Sequence, residues 1–329
     1  MTALGISIGW SAREDIDRVV DLVKRAADDG VDACWVIDSQ VAMRDAFALL
    51  AVLARETERI KLGPGVTNLL TRHETVVATT LATLSALAPG RILAGIGAGD
   101  SAVFPIGLEP QKIVEMRSGV ERVRTLLRGG EVDYLGTTVG ITAASAPPPP
   151  IYLAASQPKM LAMAGAVADG VIVMGPSHPE TYRTQIDHVR RGAAASGRDP
   201  DSVAIDLWVT MAVGEGAIDA VRSWASAQAR WLDRWESIPA AFLPFRDEIR
   251  RSATAYNFSD HLSVAAEHAG VVSDEFAIQL AVAGDTEQCR DRMRSIAAIG
   301  VDRITVSLMS GGRQRRLDDL VGVWEGVTG

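Results

Sequence analysis

Cysteine is almost absent from this chain of 329 residues: Cys34 and Cys289 are too few and too far apart for a disulfide framework or a cysteine-rich metal site. A reducing compartment is expected. Lysine is nearly as scarce, with Lys24, Lys61, Lys112 and Lys159 among 33 basic residues, a coding bias without mechanistic content. Against 41 acidic residues this leaves a net charge of −8, which argues against duplex nucleic acid or an anionic membrane as partner. No apolar run reaches the roughly 18 residues of a membrane span. The opening MTALGISIGW has no basic region leading into an apolar stretch and cleavage site, so a soluble cytoplasmic protein acting on a small molecule is expected. His73, His178, His188, His261 and His268 form neither H-E-x-x-H nor a zinc spacing, and no metal is expected. G-x-S-x-G is missing, which excludes a nucleophile-elbow hydrolase.

What the chain has is alternation. Short apolar runs and longer amphipathic segments succeed one another from end to end, the pattern of βα units around a parallel sheet. Strands are predicted at 4–9, 33–37, 60–62, 91–96, 151–154, 171–174, 203–213 and 303–307. Helices are predicted at 15–28, 45–55, 74–87, 111–128, 158–168, 179–195, 286–299 and 316–325. A hairpin is read over 129–142, followed by a stiff connector at Pro147 to Pro150. Eight strands fit a closed (β/α)8 barrel in one domain, 1–329. A two-domain doubly wound sheet is the rival, but no G-x-G-x-x-G follows the first strand and no Gly-rich linker divides the chain. Residues 217–279 break the repeat and read as a helical insertion, with Trp224, Trp231 and Trp235 spaced to share one helical face, as a packing helix or a lid.

In a barrel the reactive groups lie where strands end. That rule selects Gly9, Trp10 and Ser11; Asp38 and Ser39; Gly63 to Asn68; Gly95 to Asp100; and Ala155, Ser156 and Gln157. The turn Gly95-Ile96-Gly97-Ala98-Gly99-Asp100 lets a flat or anionic ligand approach the backbone with no Cβ in the way. Ser156 fits either an ordinary N-cap or a phosphate ligand at a helix N-terminus. Asp100 reads as a general acid or base, or as a cap of the turn that follows it.

These segments, with Ile151-Tyr152-Leu153-Ala154-Ala155-Ser156-Gln157-Pro158-Lys159-Met160, Ala168-Asp169-Gly170-Val171-Ile172, Gly284-Asp285-Thr286 and Ile299-Gly300-Val301, resemble the bacterial-luciferase-like superfamily. The nearest branch is methylenetetrahydromethanopterin reductase, and the resemblance covers the chain except about 217–275. It implies a (β/α)8 barrel that binds a flavin or the deazaflavin coenzyme F420 at its C-terminal mouth. It also implies a non-prolyl cis peptide at Gly65-Val66 that backs the ring. By position, Asp38, Asn68 and the turn Gly97, Ala98, Gly99 would lie along the deazaflavin, and Ala154, Ala155 and Ser156 would hold its phosphate. Met174 and Gly175 would lie beside the tail and Asp100 near the reacting carbon, with Trp10 and the insertion shaping the pocket.

Two departures from the branch stand out: Ser7 replaces a first-strand glutamate and Ser39 a histidine. They point to a different substrate. The expected function is an F420-dependent oxidoreductase that exchanges hydride between the deazaflavin C5 and an organic molecule, probed against three alternatives. These are an FMN-dependent monooxygenase, a flavin-independent methylenetetrahydrofolate-type reductase using NAD(P)H, and a barrel without turnover. A homodimer or higher homo-oligomer is expected, as is common in the superfamily.

Overall fold

The structure is a computed structural model and describes residues 1–144, 146–235, 238–255, 270–308 and 312–327. His261 and His268 lie outside the described residues. The first half carries four βα units: β1 (Ala3–Ile8) and α1 (Ile16–Asp28), β2 (Ala33–Val36) and α2 (Ala46–Glu56), β3 (Lys61–Pro64) with β4 (Thr67–Asn68) and α3 (Glu74–Leu87), then β5 (Ala94–Gly97) and α4 (Ile113–Leu127). The hairpin is present as β6 (Val132–Tyr134) and β7 (Thr137–Val139), paired antiparallel. Beyond it run β8 (Ile151–Ala155) and α5 (Pro158–Val167), β9 (Gly170–Met174) and α6 (Pro179–Ala195), and β10 (Ala204–Val209) with β11 (Met211–Val213). Helices α7 (Ala217–Leu232), α8 (Arg246–Ala255) and α9 (Asp274–Leu280) precede β12 (Val282–Gly284), α10 (Thr286–Ala297), β13 (Arg303–Ser307) and α11 (Arg313–Trp324).

Nine strands form one parallel sheet in the order β3-β2-β1-β13-β10-β9-β8-β5-β4. β3 and β4 are two pieces of one stave, interrupted by a cis Gly65-Val66 peptide where that bond was expected. The sheet curls back on itself through a bridge from Leu62 to Ile92, giving the eight staves of a (β/α)8 barrel. Among the described residues no helix is long and apolar enough to cross a membrane.

Strand alternation builds two cores. Leu4, Ile6 and Ile8 of β1 point outward into the layer shared with the helices. Ala33, Trp35, Leu93, Tyr152 and Ile172 fill the barrel interior. The helix starts follow from their caps: Asp15 accepts from the Asp17 N–H, Asp45 from Ala48, and Asp285 with Gln288 forms a reciprocal capping box. A third apolar cluster, with Phe242, Ile249 and Phe276 at its centre, belongs to the insertion.

The structure corrects two sequence expectations. The run 203–213 is two strands: after Val209 the chain leaves the barrel, and β11 pairs with β12, a strand not predicted. Its side chains are half-buried. Trp235 follows the end of α7 and packs in the insertion cluster, whereas Trp224 and Trp231 do share a face. Helices α5 and α6 approach so closely that a Cβ on Gly192 would stand 2.0 Å from the Ala162 carbonyl oxygen. Gly192→Ala is therefore expected to cost about 1–3 kcal/mol by forcing the helices apart, read as a lower urea midpoint.

Candidate active site

The C-terminal mouth of the barrel opens into a cavity of about 480 Å³, within the range of small-molecule sites. Its walls are the strand-end loops. Asp38, Gly65, Val66, Asn68, Gly97, Ala98, Gly99, Asp100, Ala154, Ala155, Ser156 and Met174 all line it, so the barrel brings together twelve of the fourteen residues that the resemblance places at the site.

Two do not join them. Trp10 donates its indole N–H to the Glu14 carbonyl at 3.2 Å and carries the Arg44 guanidinium 5.2 Å over its ring, so its surface is spent on the loop outside the cavity. Gly175 faces the Gln185 amide, which would meet a Cβ at 2.9 Å, and does not line the cavity. Gln185 instead donates to the carbonyls of Ser156 (3.1 Å) and Met174 (2.9 Å), tying the ends of β8 and β9 together.

The polar groups are mostly fixed by neighbours. Asp38 is buried and accepts from Thr67 Oγ1 at 2.7 Å and Arg72 Nε at 3.1 Å; Arg72 continues to Asp45 at 2.6 Å. Asn68 Oδ1 accepts from the N–H groups of Leu70 and Thr71 and from the Thr71 hydroxyl, which leaves its NH₂ as the donor. Ser39 does not line the cavity and donates to the Ser101 carbonyl at 3.1 Å. Ser7 is wholly buried beneath the cavity wall, with its hydroxyl unpartnered. On α5 the N-cap is Gln157 rather than Ser156, no side chain caps the helix, and Pro158 occupies the first turn.

Asp100 differs from the others. Its backbone carbonyl accepts from Val103 and Phe104, as a turn cap would, but carboxylate Oδ1 is buried without a partner. Burial pushes its carboxyl above the usual carboxylate range, and the charges of Arg230 and Arg234 oppose that only in part. A carboxyl poised to hold a proton inside a cavity is equipped for acid-base work. Neither thiol is: burial pushes both Cys34 and Cys289 up to about 12. Among the described residues no cluster of metal-ligating side chains occurs.

Gly97 gives the floor its flatness, since a Cβ there would lie 2.6 Å from Val66 Cγ2. Sequence reasoning missed several lining residues, Gln111, Trp208, Arg313 and Leu308, whereas Trp224 and Trp231, in the insertion expected to shape the pocket, do line it. Trp208 lay inside the apolar run of the seventh strand, and two-residue alternation from Asp206 was the signal that turns it inward.

Fold and site define a (β/α)8 scaffold with a mostly apolar cavity and a carboxyl, Asp100, raised by burial. Residues 3–303 match the family of luciferase-like monooxygenases, and the chain belongs to that family. It is 28% identical to 5,10-methylenetetrahydromethanopterin reductase of Methanolobus tindarius over 93% of this chain and 94% of that one. It is equally 28% identical to the F420-dependent glucose-6-phosphate dehydrogenase of Nocardia farcinica, over 92% and 90%. In structure it is similar to an F420-dependent secondary alcohol dehydrogenase bound to an F420-acetone adduct, with a TM-score of 0.78, 20% identity and 99% of both chains covered.

Proposed function

We propose that this chain is an F420-dependent oxidoreductase that moves a hydride between the deazaflavin C5 and an organic substrate. The observation that carries the reading is Asp100: an unpartnered, desolvated carboxyl at the lip of a slot floored by Gly97 and Val66. The curated relatives that carry F420 in their names support it. The residues fit the coenzyme. Gly65, Val66, Asn68 and the Gly97, Ala98, Gly99 turn would border the ring, with Asp38 holding Arg72 and Thr67 behind them. Ala154, Ala155 and Ser156 would hold the phosphate at the uncapped N-terminus of α5, where free N–H groups and the helix dipole favour an anion. When bound, F420 supplies two-electron hydride chemistry.

The chain's own residues do the rest. Asp100 holds or receives the proton at its carboxyl, the indoles of Trp208, Trp224 and Trp231 exclude water, and the tied ends of β8 and β9 keep the cradle in register. The wall from α7 supports treating 1–329 as one barrel domain with its insertion. We also take the protein to be a cytoplasmic homodimer, which light scattering on the purified chain tests for assembly.

Equilibrium titration with F420 and, separately, FMN, followed by cofactor fluorescence, tests the cofactor. F420 is expected to bind at least about tenfold more tightly, a difference of about 1.4 kcal/mol. Tighter FMN binding with oxygen consumption would move the protein to the monooxygenases.

A further inference from the structure

This inference rests on the oxidoreductase reading and concerns the substrate. Trp208 from the barrel and Trp224 and Trp231 from α7 line the cavity together with Met43, Met160 and Met174, so two separate parts of the chain give it apolar surface. Among the described residues the charged side chains in the lining are Asp38, Asp100 and Arg313. Asp38 is held by Thr67 and Arg72. Arg313 directs all three guanidinium nitrogens elsewhere: Nε to the Leu308 carbonyl, Nη1 to Glu14 and Nη2 to the Gly9 carbonyl. Arg230 and Arg234 act on Asp100 through space, yet neither lines the cavity. A phosphate or carboxylate group on a substrate would be desolvated against indoles, with no lining cation offered to it, and an unpaired buried ion costs several kcal/mol.

The unpartnered atoms give the complementary half of the argument. Within the lining, Asp100 Oδ1 and Gln111 Oε1 are buried oxygens without a donor, and Trp208 Nε1 is a buried N–H without an acceptor. The Gln111 N–H donates to the Ala98 carbonyl at 2.8 Å, which closes the loop and sets Gln111 at the same lip as Asp100. A ligand hydroxyl can donate to one of these two oxygens and an oxyanion to neither, while the related carbonyl oxygen can accept from the Asp100 carboxyl in its protonated form.

We propose that the substrate is an uncharged, largely apolar alcohol, or the carbonyl compound related to it, whose reacting oxygen sits at Asp100 and Gln111 while its hydrocarbon part packs on the three indoles, and that Gln111 sets the preference for the hydroxyl. Phosphorylated sugars and similar anions are then poor ligands.

The test uses the purified full chain saturated with F420, whose binding is measured on its own by coenzyme fluorescence. The probes are 4-phenylbutan-2-ol, its methyl ether and its phosphate monoester, titrated calorimetrically. The alcohol is expected to bind roughly tenfold more tightly than the ether, one hydrogen bond's worth, and roughly a hundredfold more tightly than the phosphate. Gln111→Met is expected to remove most of the alcohol-over-ether preference while leaving ether and F420 affinities as they were, a pattern that a merely structural role would not produce. Gln111→Asn, which keeps the amide, is expected to retain part of that preference. A phosphate that binds as tightly as the alcohol, or a chain that binds F420 and none of the three probes, overturns the substrate class and leaves the cofactor reading intact. An alcohol-over-ether ratio unchanged in Gln111→Met overturns the part assigned to Gln111. Absence of F420 binding overturns the oxidoreductase reading and this inference with it.

Discussion

Asp100→Asn is expected to lower turnover by on the order of 10²-fold or more with little change in F420 affinity, because the amide keeps the shape of the side chain and loses the exchangeable acid proton. The pH profile separates this from a packing defect. The Asp100 carboxyl is raised by burial, so substrate reduction, which needs the protonated form, is expected to fall as pH rises through that raised value. Oxidation, which needs the carboxylate, is expected to rise over the same window. Both limbs disappear in the asparagine variant. Stability runs the opposite way. A carboxyl whose pKa is higher folded than unfolded stabilises the fold while protonated, below the unfolded value, and that contribution is lost as pH rises through the folded value. Above the unfolded value, ionisation of this carboxyl favours the unfolded chain, an effect that the variant lacks. Asp100→Asn is expected to melt higher than the wild type at pH 7, and the gap should close below about pH 4. A variant that melts lower at neutral pH, or that keeps wild-type turnover, would show Asp100 to be a loop-forming residue.

The legibility of Asp100 in the sequence has a definite cause. It ends a strand, follows Gly97, Ala98 and Gly99, and so had to emerge at the mouth of any barrel built from these βα units. The same reasoning located Asp38, Asn68 and Ser156, because strand ends are marked by local punctuation. It also gave α3, α6 and β13 at their observed limits. Strand-end reasoning put Trp10 at the site and the family resemblance put Gly175 there, and neither lines the cavity, since a residue just beyond a strand can turn either way: Trp10 packs against Arg44, and Gly175 is filled from behind by Gln185. Gln111 was invisible as a site residue for a different reason, and the α7 indoles were legible only as a packing face, a lid or part of an insertion shaping the pocket. Gln111 reaches the cavity through a loop closed by one backbone hydrogen bond to Ala98, and Trp224 and Trp231 reach it from an insertion whose position depends on tertiary packing. Among the contacts that fix the insertion, Glu180 of α6 accepts from the Ala240 and Ala241 N–H groups, a pairing across 60 residues that no local pattern encodes.

The same limit applies beneath the cavity, where the largest loss of stability is expected. Asp206 is wholly buried in the barrel and accepts from Trp35 Nε1 at 2.9 Å, Thr305 Oγ1 at 2.7 Å and Arg303 Nη1 at 3.2 Å. Arg303 reaches on to Asp32 at 2.6 Å, and Asp32 to Lys61 at 3.1 Å. Burial pushes the Asp206 carboxyl up, while the two neighbouring carboxylates push Arg303 up further. Asp206→Ala is expected to cost about 3–5 kcal/mol, because it leaves the buried Arg303 with Asp32 alone to balance its charge and leaves an indole N–H and a hydroxyl without acceptors. The damage should reach the site as well. Trp35 packs behind Gly65, and Trp208 lies two residues along β10 from Asp206 on the same inward face, so the cavity floor rests on this network. Urea unfolding of Asp206→Ala and of the double variant Asp206→Leu, Arg303→Met measures what the charges contribute. Recovery of at least half the lost stability in the double variant is expected, since removing both charges also removes most of their desolvation cost. If the double variant is as unstable as the single one, the contribution of Asp206 lies in holding Trp35 and Thr305, and the ion pair is incidental to the floor it crosses.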